Sequence, residues 1–369
     1  MPHKDKKHLW EKYREHELAT VTPLLLELGF SLEQNQPHIG GERYLMQAVT
    51  TTSGKKLILI GNRIADKKRV VIKITRDPNG IRELTHERVC RAALQKIAFA
   101  YQIFFSSEEI IFTKTGGYTI SIQAFVNQTS PFLKWPLEEQ FTFALRAFQA
   151  QEGAHATTYG HRRFTIKTFG SIDAYGYLKS YNKFCMNIID RLPDEKNIHD
   201  LLYQGEGMLQ EDKEIIDQYG NFLTHTDFVP HNFRVVGEKI YLLDHSSLRF
   251  GNKYEGWARF LNFMTLYNRP LEEALLFYVQ KNRTEEEYRA LELMRMYKLG
   301  EIIWFYTSLL EKTEGELHTL TIERIKFWAS VLRAILSGTL VSQEVVEKYR
   351  GVRDTLRSDE EKKRQIDLH

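Results

Sequence analysis

The hydrophobic pattern of this chain changes period near residues 125–131, and that change limits the folds open to it. Upstream, apolar and β-branched residues come in short runs. Residues 43–51, 56–60, 69–74, 109–113 and 118–126 each have strand length, and Gly54, Gly61-Asn62, Asp66 and Gly116-Gly117 punctuate them. Pro78-Asn79-Gly80 predicts a turn. Residues 81–100 then read as a helix, with Leu84, Val89, Ala92 and Ala93 among its apolar positions. Downstream the spacing is helical. Leu137, Phe141, Leu145 and Phe148 repeat behind Pro136, and residues 173–192 form a second helical stretch. From Leu271 onward the chain is almost wholly helix-like, with Thr284-x-x-Glu287 as a capping box. Residues 4–30 read as helical too, with Leu9, Trp10 and Tyr13 before Pro23 and an apolar run from Leu24 to Phe30 after it. The tail after Ser358 is charged and is expected to fray.

A β-rich first third holding one internal helix, followed by a helical remainder, predicts an α+β protein of two units. The N-terminal unit spans residues 1–126, with the helical extension 1–34, and the C-terminal unit spans 127–369. A length of 369 residues suits two units at roughly 100–200 residues per domain. A hydrophobic share of 42% rules out wholesale disorder. Charge separates further classes: 51 basic against 48 acidic residues give a net +3, which argues against a nucleic-acid binder driven by bulk electrostatics. Cys90 and Cys185 stand alone, without a CxxC or Cys/His zinc spacing, so a disulfide scaffold is not expected. The first 17 residues lack an apolar signal core, and no run approaches 18 apolar residues. A soluble, cytoplasmic protein that engages neither membrane nor nucleic acid is expected; oligomeric state is left open.

Polar residues with chemical potential concentrate in residues 222–247, FLTHTDFVPHNFRVVGEKIYLLDHSS. His225-x-Asp227 is followed five residues later by Asn232. A turn at Gly237-Glu238 leads into the apolar strand 240–243, which ends in Asp244. Loops at strand ends present polar groups to clefts because rigid neighbours hold them there. Phosphoryl transfer needs this set: one carboxylate to orient and deprotonate a hydroxyl, and an amide oxygen and a second carboxylate to hold Mg²⁺. Asp227 fits the first role, and Asn232 and Asp244 fit the second.

At this point the sequence resembles the aminoglycoside phosphotransferase family of the protein-kinase-like superfamily. Its His-Gly-Asp-x-x-x-x-Asn loop matches His225-Thr226-Asp227-Phe228-Val229-Pro230-His231-Asn232, and its metal-binding strand end matches Leu242-Leu243-Asp244. Thr226 replaces the usual glycine, and His245-Ser246-Ser247 replaces the usual aromatic and acidic pair. Upstream, Val70-Val71-Ile72-Lys73-Ile74 resembles the Val-Ala-Ile-Lys strand, whose lysine pairs with nucleotide phosphates and with a helix glutamate. Glu83 and Glu87 are the candidates for that partner, and the run beginning at Glu87 matches better. Gly40 and Gly41 stand where a phosphate-covering turn belongs, and residues 121–126, including Gln123 and Phe125, stand where the hinge meets the base. The resemblance covers residues 35–265. It implies a two-lobed kinase-like fold, an N-lobe of antiparallel sheet plus helix and a mainly helical C-lobe. It also implies ATP (or GTP) and Mg²⁺ as cofactors, a small-molecule hydroxyl acceptor, and His225 as a loop support. His155 stands where the family often has a packing histidine. The helix Tyr254-Glu255-Gly256-Trp257-Ala258-Arg259-Phe260-Leu261 lacks the aspartate of the family's Asp-Leu-Ala pattern. A cationic acceptor would need a carboxylate-lined pocket, for which Glu255, Glu272 and Glu273 are candidates.

Two other readings use the same residues. A non-catalytic pseudokinase would keep the fold as a scaffold, although such a chain has no need to retain Lys73, Asp227, Asn232 and Asp244 together. A metal-dependent hydrolase would employ His225, Asp227, His231, Asp244 and His245 as ligands, but leaves Asn232 without a role.

Overall fold

The computed structural model describes residues 3–34, 36, 56–96, 104–153 and 159–357. Gly40, Gly41, His155 and the expected strand at 43–51 lie outside the described residues. The first unit contains helix α1 (His3–Glu27), strands β1 (Phe30–Leu32), β2 (Leu57–Arg63) and β3 (Arg69–Thr75), helix α2 (Pro78–Lys96), and strands β4 (Phe104–Ser106), β5 (Glu109–Thr115) and β6 (Tyr118–Ala124). An antiparallel sheet runs in the order β1-β2-β3-β6-β5.

Alternation along β3 decides what this sheet does. Val70, Ile72 and Ile74 are buried in one cluster with Val21 and Leu25 of α1 and with Ile120 and Ile122 of β6. The period of two turns Val71 and Lys73 to the other face, where Ser121 sits directly across from Lys73 and Gln123 across from Val71. Gly116 and Gly117 both have positive φ, +55° and +80°, as a tight turn between β5 and β6 requires. Gly61 lies inside β2 instead of ending it. A Cβ there would come within 2.6 Å of the Ser31 carbonyl, so glycine is what lets β1 pair with β2.

Two further local expectations are corrected. Pro78-Asn79-Gly80 is the first turn of α2, because Asp77 Oδ1 accepts from the amides of Asn79 and Gly80, both at 3.0 Å, and proline suits a helix start. Phe30 belongs to β1, since Gly29 with φ +86° ends the helical region before it.

The second unit comprises helices α3 (Leu137–Glu152), α4 (Tyr159–Phe169), α5 (Ala174–Arg191), α6 (Lys196–Glu211) and α7 (Lys213–Gln218). Strands β7 (Phe222–His225), β8 (Phe233–Val236), β9 (Lys239–Leu242) and β10 (Leu248–Gly251) follow. Helices α8 (Glu255–Tyr267), α9 (Arg269–Asn282), α10 (Glu285–Thr307), α11 (Gly315–Leu336) and α12 (Gln343–Leu356) complete it. The capping box at α10 forms as the sequence predicts, with Glu287 N donating to Thr284 Oγ1 and Thr284 N to Glu287 Oε2, each at 3.2 Å.

This unit has its own large core. Two pieces of chain from before residue 126 reach into it. Cys90, Ala93 and Leu94 of α2 join the core, and β4 pairs in parallel with β9. The helix that carries Glu87 is thereby fixed to both units. An aromatic set backs the loop after β7: Trp257 of α8 stacks on Phe148 of α3 at 4.0 Å, and Phe148 meets Phe228 and Phe260 edge-on. Trp257→Ala should destabilise the protein by about 3–5 kcal/mol through the void it leaves. Chemical denaturation measures this, and a loss below about 1 kcal/mol would show that the stack is not a structural support.

Candidate active site

Lys73 stands on a buried strand, so its ammonium needs a partner. It finds two. Glu87 Oε1 of α2 lies 2.5 Å from Nζ, and the Leu243 carbonyl accepts from Nζ at 3.3 Å. Glu83, one turn earlier, pairs with Lys56 at 3.2 Å instead. The Leu243 contact matters most for the site. It joins a residue of the first unit to the backbone next to Asp244, across 170 residues of sequence.

The loop after β7 is held by its apolar residues. Phe228 and Val229 are fully buried, whereas the Asp227 side chain is 38% exposed. Thr226 N donates to Ser247 O at 2.8 Å, and Asn232 N to Val229 O at 2.8 Å. Positive φ among the described non-glycine residues occurs only at Lys67 and Asn221, so Thr226 fits where the resembling family has glycine. Asn232 Nδ2 donates to both the carbonyl and Oδ2 of Asp227, at 2.8 Å each. Those acceptors fix the amide orientation and leave Oδ1 as the side-chain acceptor. Asn232 also accepts from Leu243 N at 3.0 Å through its own backbone carbonyl. One continuous set of bonds therefore runs Asp227–Asn232–Leu243–Lys73–Glu87.

Asp244 caps the short turn His245–Ser247. Its Oδ1 accepts from the amide and hydroxyl of Ser246 at 3.0 and 2.5 Å, and its Oδ2 from the Ser247 hydroxyl at 2.7 Å. Burial alone would push this carboxyl up. His225, the two serine hydroxyls and Lys73 outweigh burial and hold it at about 2, so Asp244 is an anion at neutral pH. Burial likewise disfavours ionised Asp227, but Arg259, His231, His225 and Lys298 keep it well below the ordinary carboxylate range.

Both neighbouring histidines are structural in their contacts. His225 Nε2 meets the Asp244 carbonyl at 2.7 Å, and a carbonyl only accepts, so Nε2 carries the proton. Burial pushes its pKa down. His245 Nε2 meets Ser106 Oγ of β4 at 2.7 Å, a contact that ties β4 to the strand end. Among the described residues, no group of three or more His, Cys, Asp or Glu is arranged to hold a metal ion, which gives the hydrolase reading no ligand set. A hard cation that relies on phosphate and water oxygens needs only one or two protein oxygens, and the anionic Asp244 beside Asn232 supplies that donor chemistry.

Gln123 shares the face of Lys73 and donates to Ser121 Oγ at 3.4 Å. Phe125 lies just past β6, with its amide on the Arg69 carbonyl at 3.1 Å and the Arg69 guanidinium 4.2 Å from its ring centre. Three contributors to the site were not anticipated from sequence: Ser246 and Ser247, which hold Asp244, and Arg259 of α8, whose Nε donates to Asp227 Oδ1 at 2.7 Å. Arg259 stands inside the helix segment that departs from the family pattern, and that departure is the only signal pointing to it.

A two-lobed kinase-like fold, with a lysine of one lobe bonded to the backbone beside Asp244 of the other, is the class these observations define. No protein-family model and no curated protein sequence matches the chain. Solved structures do. A thermostable mutant of aminoglycoside phosphotransferase APH(4)-Ia in its apo form superposes with a TM-score of 0.54 at 11% identity, covering 78% of this chain and 94% of that one. ADP-bound aminoglycoside phosphotransferase APH(2'')-Ib gives 0.52 at 12%, covering 80% and 98%. Macrolide 2'-phosphotransferase MphH from Brachybacterium faecium gives 0.52 at 13%, covering 83% and 97%. The chain has the fold of these phosphotransferases.

The Lys73–Glu87 pair generates a stability prediction free of any assumption about activity. Glu87→Ala leaves a buried ammonium uncompensated and should cost about 3–5 kcal/mol, whereas Lys73→Met with Glu87→Leu should recover most of that loss. Denaturation of the single and double variants checks this; equal losses in both would contradict it.

Proposed function

We propose that this protein is a divergent member of the aminoglycoside phosphotransferase family, moving the γ-phosphate of ATP (or GTP) to a hydroxyl of a small molecule. The observation that carries the reading is the position of the Lys73 ammonium, bonded at once to Glu87 and to the backbone beside Asp244. A second solved structure of the thermostable APH(4)-Ia, a ternary complex with ADP and hygromycin B that this chain matches at a TM-score of 0.51, supports a nucleotide and a small hydroxylated acceptor as the two ligands.

Lys73, held by Glu87, neutralises the α/β-phosphates. Asn232 Oδ1 and Asp244 would hold Mg²⁺, which when bound offsets the charge of the β/γ-phosphates. Asp227 accepts the hydroxyl proton while the acceptor oxygen bonds to the γ-phosphorus and the bond to the β–γ bridging oxygen breaks, releasing the nucleoside diphosphate. Asn232 keeps Asp227 aimed by donating to its Oδ2. The core behind Phe228 and Val229 keeps the loop rigid, which is the positioning such a reaction relies on.

Asp227→Asn should lower kcat by about 10²–10⁴, the usual range for loss of a general base, with nucleotide affinity retained. ADP release during a screen of hydroxylated metabolites and aminoglycosides reads the activity. A substrate turned over equally by Asp227→Asn and wild type would remove Asp227 from the role of base.

A further inference from the structure

The charges around Asp227 bear on the acceptor, an inference that rests on the phosphotransferase reading. We infer that the acceptor carries an oxyanion, a carboxylate or a phosphate, near its reacting hydroxyl, and that Arg259 binds that group.

Arg259 stands against Asp227, the residue to which the phosphotransferase reading brings the acceptor hydroxyl. It gives its Nε–H to Asp227 Oδ1, while its terminal amino groups supply a planar fork of further donors matched to carboxylate or phosphate oxygens. The side chain is 20% exposed, so a ligand in the cleft can meet it.

The candidate carboxylates for a cationic acceptor are already paired with cations. Glu255, one turn before Arg259, is completely buried. Arg249 binds both of its oxygens, at 3.1 and 2.6 Å, Tyr177 donates to it at 2.8 Å, and Lys298 lies 3.6 Å away. Glu272 is buried against Arg295 and Thr265, and Glu273 pairs with Arg269 at 2.8 Å. Glu301, which is 37% exposed, is paired with Lys298. Arg249 remains 27% exposed while its carboxylate partner is hidden.

The chemistry agrees. Arg259 Nε and Asn232 Nδ2 each occupy one oxygen of Asp227, so a hydroxyl that approaches this carboxylate also approaches the guanidinium. An oxyanion on the acceptor offers Arg259 a second partner and loosens its hold on Asp227 as the hydroxyl arrives. A cationic acceptor would instead compete with the guanidinium for one carboxylate and suffer repulsion from it.

Two compound series of matched skeleton test this. One is glycerate, glycerol 3-phosphate, glycerol and 3-amino-1,2-propanediol; the other is gluconate, glucose 6-phosphate, glucose and glucosamine. Affinities come from ligand-induced shifts in Tm, measured without nucleotide, for wild type, Arg259→Gln and Arg259→Lys. At least one acid should bind wild type about tenfold or more tightly than its neutral and cationic counterparts, as expected for charged hydrogen bonds. Arg259→Gln should erase that preference and Arg259→Lys should restore part of it. The ligand-free Tm of each variant reports its folding, and a change in preference among skeleton-matched compounds is not produced by instability alone. The inference is overturned if neutral or cationic members bind as tightly as the acids, if Arg259→Gln keeps the preference, or if no acid binds. The Asp227→Asn turnover assay judges the phosphotransferase reading separately, because acid preference is measured here without nucleotide or turnover.

Discussion

The site depends on one buried ammonium serving two masters. Lys73 bonds to the Glu87 carboxylate on its own lobe and to the Leu243 carbonyl on the other. A lysine in a buried strand is costly unless it is paired, so the fold must bring Glu87 to it. The helix carrying Glu87 is in turn anchored in the second lobe through Cys90, Ala93 and Leu94. The Lys73 ammonium is thus held against the backbone next to Asp244.

Two aspartates near Lys73 and Arg259 sit in different surroundings. Asp244 is tied to Ser246, Ser247 and the turn that follows. Asp227 is braced by Asn232 on one oxygen and Arg259 on the other, and is more open to solvent. Two carboxylates in different surroundings are what a reaction needs when one must bind charge and the other must take a proton.

Much of this was legible in the sequence because it is local. Alternation within Val70-Val71-Ile72-Lys73-Ile74 separates Lys73 from the core face, and the spacing from Asp227 to Asn232 places both on one loop. The capping box at Thr284 needs only a short local segment and no tertiary context. What was illegible is what depends on distant chain. Strand β4 is three residues long and exists because β9 pairs with it. Arg259 reaches Asp227 only because Trp257 and Phe260 seat α8 against Phe148, a relation between helices far apart in the chain. Gly61 reads as a strand break in isolation, and its use becomes visible only beside Ser31. The commitments of Glu255 and Glu272 to arginine partners were equally hidden.

Chemical labelling of Lys73 tests the central claim most directly. An acyl phosphate of ATP delivers its acyl group to a lysine amine lying at the nucleotide phosphates. If the cleft binds nucleotide as described, mass spectrometry will find Lys73 acylated, and excess MgATP will block the reaction. Labelling that avoids Lys73, or that MgATP leaves unchanged, would contradict the account.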